Sequence, residues 1–118
     1  MSNKVLGDRG ESCAARYLGA QGYRILAQKY RTKTGEIDLI AKDHETLVFV
    51  EVKTRRSVRC GLPAEAVNYR KQRRIIQTAM LYLREKQMDQ TPCRFDIVEV
   101  YAAGSEWRIH HLKGAFEV

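Results

Sequence analysis

Residues 35–54 read Gly35-Glu36-Ile37-Asp38-Leu39-Ile40-Ala41-Lys42-Asp43-His44-Glu45-Thr46-Leu47-Val48-Phe49-Val50-Glu51-Val52-Lys53-Thr54, and this stretch decides the fold. Two apolar runs flank the polar triplet Asp43-His44-Glu45, which is the pattern of a hairpin. The expected strands are Glu36–Lys42 and Thr46–Thr54. The run Leu47-Val48-Phe49-Val50 is apolar on both faces, which suits a central strand covered from two sides. If His44 and Glu45 form a two-residue loop, Asp43 pairs with Thr46. Asp38 then faces Glu51, and Glu36 faces Lys53. A two-residue slip instead sets Glu36 against Glu51. In both registers two carboxylates meet on one face, because side chains alternate along a strand and Glu36 shares a face with Asp38. Like charges placed opposite each other are destabilising. Two arrangements resolve the conflict. One is a hard cation such as Mg²⁺, held by paired carboxylates, water and phosphate oxygens. The other is a salt-bridge cluster in which Lys53 and nearby arginines neutralise Glu36 and Glu51.

Working outward, the region before this hairpin predicts a helix from Asp8 or Gly10 to Leu18 or Ala20. Cys13, Ala14, Tyr17 and Leu18 recur at helical spacing, and Gly19 and Gly22 mark the end. Glu11 falls at the edge of that apolar stripe. A strand follows at Tyr23–Tyr30. Beyond the hairpin, Pro63 opens a second helix that runs to Glu85 or Gln87, with Ile75, Ile76, Ala79, Met80 and Leu83 as its buried stripe. Thr91-Pro92 breaks the chain. Arg94–Tyr101 and Trp107–Leu112 are the last two strands, turned by Gly104. The order α-β-β-β-α-β-β predicts a two- or three-layer α/β sandwich.

The chain has 118 residues, the size of one domain. It carries no run of about 20 apolar residues, as a membrane span needs, and no apolar leader at its start. The three cysteines, Cys13, Cys60 and Cys93, have no metal or disulfide spacing and read as reduced thiols of a cytoplasmic protein. The net charge of +7 is localised. Residues 53–74 hold Lys53, Arg55, Arg56, Arg59, Arg70, Lys71, Arg73 and Arg74 against one acid, Glu65, while the rest of the chain balances. Such a block points to a polyanionic partner, nucleic acid above all, or else to a solvated basic face.

A set of short motifs spans nearly the whole chain. They are Gly7-Asp8-Arg9-Gly10-Glu11 with Ala14-Ala15 and Tyr17-Leu18, then Gly35-Glu36-Ile37-Asp38-Leu39-Ile40, then Phe49-Val50-Glu51-Val52-Lys53-Thr54-Arg55. Pro63-Ala64-Glu65-Ala66-Val67, Lys71 with Arg74-Ile75, and Arg94-Phe95-Asp96-Ile97-Val98 follow. On these the chain resembles the YraN-like family of small, poorly characterised bacterial proteins. That family is placed in the PD-(D/E)XK nuclease superfamily, close to archaeal Holliday junction resolvases. The resemblance implies a restriction-endonuclease-like sandwich, with an αβββαβ core and a mixed central sheet flanked by helices. It puts Asp38, Glu51 and Lys53 at the three signature positions and Glu11 as the first-helix acid, with Ile37 where the signature has Pro.

The implied activity is that of a Mg²⁺- or Mn²⁺-dependent DNA endonuclease, structure-selective and resolvase-like. Asp38, Glu51 and the Val52 carbonyl are expected to hold the metal, with Glu11 binding directly or through water. Lys53 is expected to position the attacking water or to stabilise charge on the phosphate. Arg55, Arg56, Arg70, Lys71, Arg73 and Arg74 are expected to contact phosphates without reading sequence. The alternative is a non-catalytic nucleic-acid-binding protein on the same fold. Asp96 reads as a buried acid paired with an arginine, or as a support for the site. His110 and His111 point to opposite faces, His44 is a turn residue, and Tyr69 either contacts a nucleic-acid backbone or is an ordinary helix tyrosine. Trp107, Ile109, Leu112 and Phe116 either cap the sheet or form the seam of a homodimer, which would present two sites for paired cuts.

Overall fold

The computed structural model describes residues 2–56 and 67–118. Helix α1 spans Asn3–Ala20 and helix α2 spans Tyr69–Glu85. The strands are β1 (Arg24–Thr32), β2 (Gly35–Asp43), β3 (Thr46–Arg55), β4 (Cys93–Ala103) and β5 (Glu106–Phe116). One five-stranded sheet runs in the order β1-β2-β3-β4-β5. All neighbours are antiparallel except β3 and β4, which run parallel from Leu47 beside Cys93 to Arg55 beside Tyr101. A parallel pair needs a crossover, and α2 lies within it. The sheet is therefore mixed, with one helix on each face, and the expected α/β order and three-layer form are what the chain adopts.

The two faces divide the core. Against α1, Ala14 and Leu18 pack on Leu39, Ala41, Val48, Val50, Val52, Val98 and Val100. Against α2, Ile75, Ile76, Ala79, Tyr82 and Leu83 pack on Ile37, Ile40, Leu47, Phe49, Phe95 and Ile97. Phe49 stacks on Phe95, which stacks on Phe116. A side chain of this size, fully buried, contributes roughly 1.5–3 kcal/mol. Leu47 to Val52 alternate between the two clusters, so β3 supplies both layers at once.

Several boundaries differ from those expected. Helix α1 begins at Asn3, well before Asp8, with Ser2 capping it by accepting from the Val5 N–H at 3.1 Å. Gly7 and Gly10 lie inside the helix and do not start it. Gly10 is there because the helix crosses β3 too closely for a side chain: a Cβ at that position would stand 1.9 Å from Thr54 Oγ1. Met80 is exposed, and Tyr82 and Thr78 are buried instead, because the stripe follows the spacing 75, 76, 79, 82, 83. Asn68 has extended backbone and caps α2 by accepting from the Lys71 N–H at 2.9 Å, so this helix begins at Tyr69. The expected start at Pro63, like Cys60, Arg59 and Glu65, lies outside the described residues. Among the described residues, no helix is long and apolar enough to cross a membrane.

Candidate functional site

The β2–β3 hairpin has the tight register. Asp43 pairs with Thr46 across His44-Glu45, and the ladder runs to Leu39 opposite Val50. His44 takes the positive φ of 56° that such a two-residue turn demands. After Leu39 the strands part. Asp38 Oδ2 accepts from the Val52 N–H at 2.8 Å, so a side chain takes the place of the next ladder bond. Glu51, only 6% exposed, shares a hydrogen bond with Asp38 at the fork.

The neighbouring strand is irregular at the same level. Gln28 pairs with Leu39 and Tyr30 with Ile37, which leaves Lys29 facing Asp38 with a positive φ of 52°. The in–out alternation of β2 also breaks here: Ile37 and Ile40, three residues apart, both enter the cluster under α2. Glu36 is therefore neither paired with Lys53 nor locked to the face of Asp38 by alternation. It is exposed and pairs with Arg31 at 3.2 Å.

Two further elements close on the fork. The contact of Gly10 with Thr54 brings Glu11 to the rim, where its Oε1 lies 3.0 Å from Lys29 Nζ. From α2, Lys71 Nζ lies 2.6 Å from Glu51 Oε2. Two clefts open from the fork. One of about 480 Å³ runs between α1 and the end of β3, lined by Glu11, Asp38, Glu51, Val52, Lys53, Arg55, Arg56 and Lys71. The other, of about 330 Å³, runs between β2 and α2, with Gly35, Glu36, Arg74 and Ile75 on its walls. Asp38, Glu51 and Lys71 line both.

With this geometry in place, likeness to other proteins becomes informative. Residues 10–100 match the profile of the uncharacterised protein family UPF0102. The chain belongs to UPF0102. It is 45% identical to a UPF0102 protein of Clostridioides difficile over 98% of its own length and all of the relative's. It is 56% identical to one from Symbiobacterium thermophilum over 85% of its length and 84% of the relative's. To one from Syntrophus aciditrophicus it is 50% identical over 98% and 91%.

In this UPF0102 chain the electrostatics of the fork are lopsided. Burial, then the shared hydrogen bond with Glu51, pushes the Asp38 carboxyl up to about 9. Burial also raises Glu51, but the bond from Asp38 and the ammonium of Lys71 outweigh it and hold Glu51 below the usual carboxylate range. Burial and the adjoining Lys71 ammonium lower Lys53. Two adjoining carboxylates, Glu51 buried and Asp38 half-buried, thus share one proton, as expected when like charges cannot both ionise.

Two buried oxygens, Glu11 Oε1 and Glu51 Oε2, receive no directed hydrogen bond. Each lies beside an ammonium, Glu11 Oε1 beside Lys29 and Glu51 Oε2 beside Lys71. Oxygens in that condition fit a hard cation. The acids are not gathered into a finished cage, however: among the described residues, no three His, Cys, Asp or Glu side chains stand together as a ligand group. Lys29 draws Glu11 one way and Lys71 draws Glu51 another. Mg²⁺ needs only one or two carboxylates when water and phosphate complete its shell.

The basic residues of this UPF0102 chain do not form one uniform surface. Arg70 and Arg74 are exposed and Arg73 half-buried along α2. Arg56 donates to Asn3 Oδ1 at 2.8 Å at the mouth of the larger cleft. Two members of the expected phosphate-binding set are already tied to acids. Lys71 belongs to the fork itself. Arg55 donates its Nε to Glu99 Oε2 at 2.9 Å, because the β3–β4 register sets Glu99 beside Lys53 and leaves it fully buried. Tyr101 also hydrogen-bonds Glu99.

Sequence reasoning missed Lys29 and Glu99. Nothing in the sequence announces a strand lysine with positive φ. Glu99 had a signal: it interrupts Ile97-Val98-Glu99-Val100, an apolar run like the one around Asp96. Asp96 pairs with Arg94 at 2.9 Å and His111 at 2.7 Å, on the α1 side and away from the two clefts. Tyr69 is 73% exposed on the first turn of α2.

Proposed function

We propose that this chain is a metal-dependent DNA endonuclease, structure-selective and resolvase-like, that hydrolyses phosphodiester bonds. The observation that carries the reading is the pairing of half-buried Asp38 with buried Glu51 at the fork of β2 and β3, shared by two clefts with basic walls. A site open on two sides admits a strand that continues in both directions, which suits internal cleavage better than trimming of ends.

Asp38, Glu51 and the Val52 carbonyl would hold Mg²⁺ or Mn²⁺, with Glu11 binding directly or through water. The ion, when bound, supplies Lewis-acid polarisation of the phosphate and a more acidic water. The chain's own groups do the rest. Lys53, its pKa lowered by burial and Lys71, holds the attacking water or meets the charge that builds on the phosphate. Arg55, fixed by Glu99, and Arg56 line one cleft and Arg74 the other, where they bind phosphates on either side of the cut. Arg70 and Arg73 extend that contact along α2.

Paired cuts in a junction need two such sites, which a two-fold homodimer supplies. We infer a homodimer for that substrate. The test is incubation of the purified protein with a four-way junction, a flap and a linear duplex in Mg²⁺ or Mn²⁺, with sedimentation on the junction. Cleavage of a branched substrate that disappears in Asp38→Asn is the expected result. Binding without cleavage of any substrate in either ion would make the chain a nucleic-acid-binding protein on a nuclease fold.

A further inference from the structure

Lys71 stands where helix energetics alone would not put it. The first turn of α2 holds no acid, and Arg70, Lys71, Arg73 and Arg74 crowd its positive end. Cations there oppose the helix dipole. Lys71 also abuts Lys53, a second ammonium. What holds it is Glu51 Oε2 at 2.6 Å, a buried oxygen to which it makes an ion pair but no directed hydrogen bond. Attached through this one acid, on a flexible four-carbon stem and with its side chain 39% exposed, it can leave by a short path. Both clefts reach it, so the nearest alternative anion is a phosphate lying across the fork.

We propose that Lys71 is an exchangeable cation. In the metal-free protein its ammonium occupies Glu51. When a divalent ion takes Glu51, the ammonium transfers to an oxygen of the substrate phosphate. The inference rests on the metal-dependent reading above and adds to it a coupling: metal loading releases the lysine that then binds substrate. The charges require such a coupling. An ion of charge +2 at the fork repels Lys71 and Lys53 and removes the carboxylate that kept Lys71 in place. A lysine that stayed on Glu51 would also oppose the ion, so the transfer itself is read from the phosphate contact that Lys71 gains only when the ion is bound.

The test compares wild type with Lys71→Met, which keeps the side-chain length without the charge, and with Lys71→Arg. Mn²⁺ binding without nucleic acid is read by calorimetry. Lys71→Met should bind Mn²⁺ about tenfold more tightly than wild type, because the competing cation is gone, and Lys71→Arg should not. Circular dichroism establishes that both variants are folded. Duplex binding is then measured against salt in EDTA and in Ca²⁺. The log–log salt slope of wild type should exceed that of Lys71→Met by about 0.9 in Ca²⁺, one phosphate contact. In EDTA the two slopes should agree. Wild type that binds Mn²⁺, with Lys71→Met equal to it or weaker, overturns the exchange alone. Wild type that binds no divalent ion overturns both the exchange and the metal-dependent reading.

Discussion

A carboxyl group in the position of Asp38 costs the metal-free protein stability. The unfolded chain releases this proton near its ordinary value of 3.8, whereas the folded chain keeps it to about 9. Across that window the folded state binds more protons than the unfolded state, so stability falls as pH rises. Asp38→Asn removes the penalty and keeps an oxygen for the Val52 N–H. In EDTA the variant should be more stable than wild type by about 1–3 kcal/mol at pH 8, and by less at pH 5. Urea unfolding at the two pH values measures this. The same variant should lose Mn²⁺ affinity at least tenfold by calorimetry, and unchanged affinity would take Asp38 out of the ligand set. One residue that destabilises the empty site and is required by the loaded one is the expected mark of a functional group.

At the scale of elements, the crossing of α1 over β3 decides where Glu11 stands. Gly10→Ala forces a Cβ into Thr54, so the helix must move. We expect a loss of about 1–3 kcal/mol together with weaker Mn²⁺ binding. Gly7→Ala, in the same helix with nothing within 4 Å, should instead gain about 0.5–1 kcal/mol. Thermal melts of the pair separate helix propensity from close approach. These positions also mark what the sequence could tell. The hairpin and its two-residue turn were legible because their information is local, but the sequence left two registers open, and the parting of the strands after Leu39, which sends Glu36 to Arg31, was not legible in it. The pairing of Asp38 with Glu51 followed from the two-residue loop. The contact of Gly10 with Thr54 did not, because a glycine looks alike at a helix start and at a helix crossing. Nor did the ion pairs of Lys71 and Arg55, whose acids come from other elements. A basic block reads as solvent-facing until a parallel strand sets Glu99 beside it. Met80 was misassigned because a run of apolar residues does not itself say which of two adjacent angles faces the sheet.

Across the whole molecule, charge has two jobs at opposite regions of the sheet. Around the clefts it is in excess. Removing Arg70, Arg73 and Arg74 together should weaken DNA binding evenly across sequences and flatten the salt dependence by up to about 0.9 log–log units per lost contact. An unaltered slope would move the DNA to another surface. Near the β2–β3 turn, charge is paired around the buried Asp96. Arg94 bonds Asp96, Asp43 and the Tyr23 hydroxyl, while His111 joins Asp96 to Tyr17. Burial raises Asp96, but His111, Arg94 and the Gly114 N–H outweigh it and hold the group below 3.8. Its contribution is complete above that value and is lost as pH falls below it. Asp96→Asn should cost about 1–3 kcal/mol at neutral pH, since Arg94 loses the buried one of its two carboxylate partners and keeps only Asp43, and should flatten the acid limb of a stability–pH curve. The parallel join of β3 to β4 has a consequence for how the chain reaches this state. Helix α1 and the three strands after it form from neighbouring residues, and in that half-made form β3 shows a bare apolar edge, the kind that recruits other chains into aggregates. Only β4 and β5 cover it, and they leave the ribosome after β3. Part of the surface that α2 packs on, Phe95 and Ile97, belongs to β4, so a chain still vulnerable to aggregation is also one whose Lys71 lacks its full support beside Glu51.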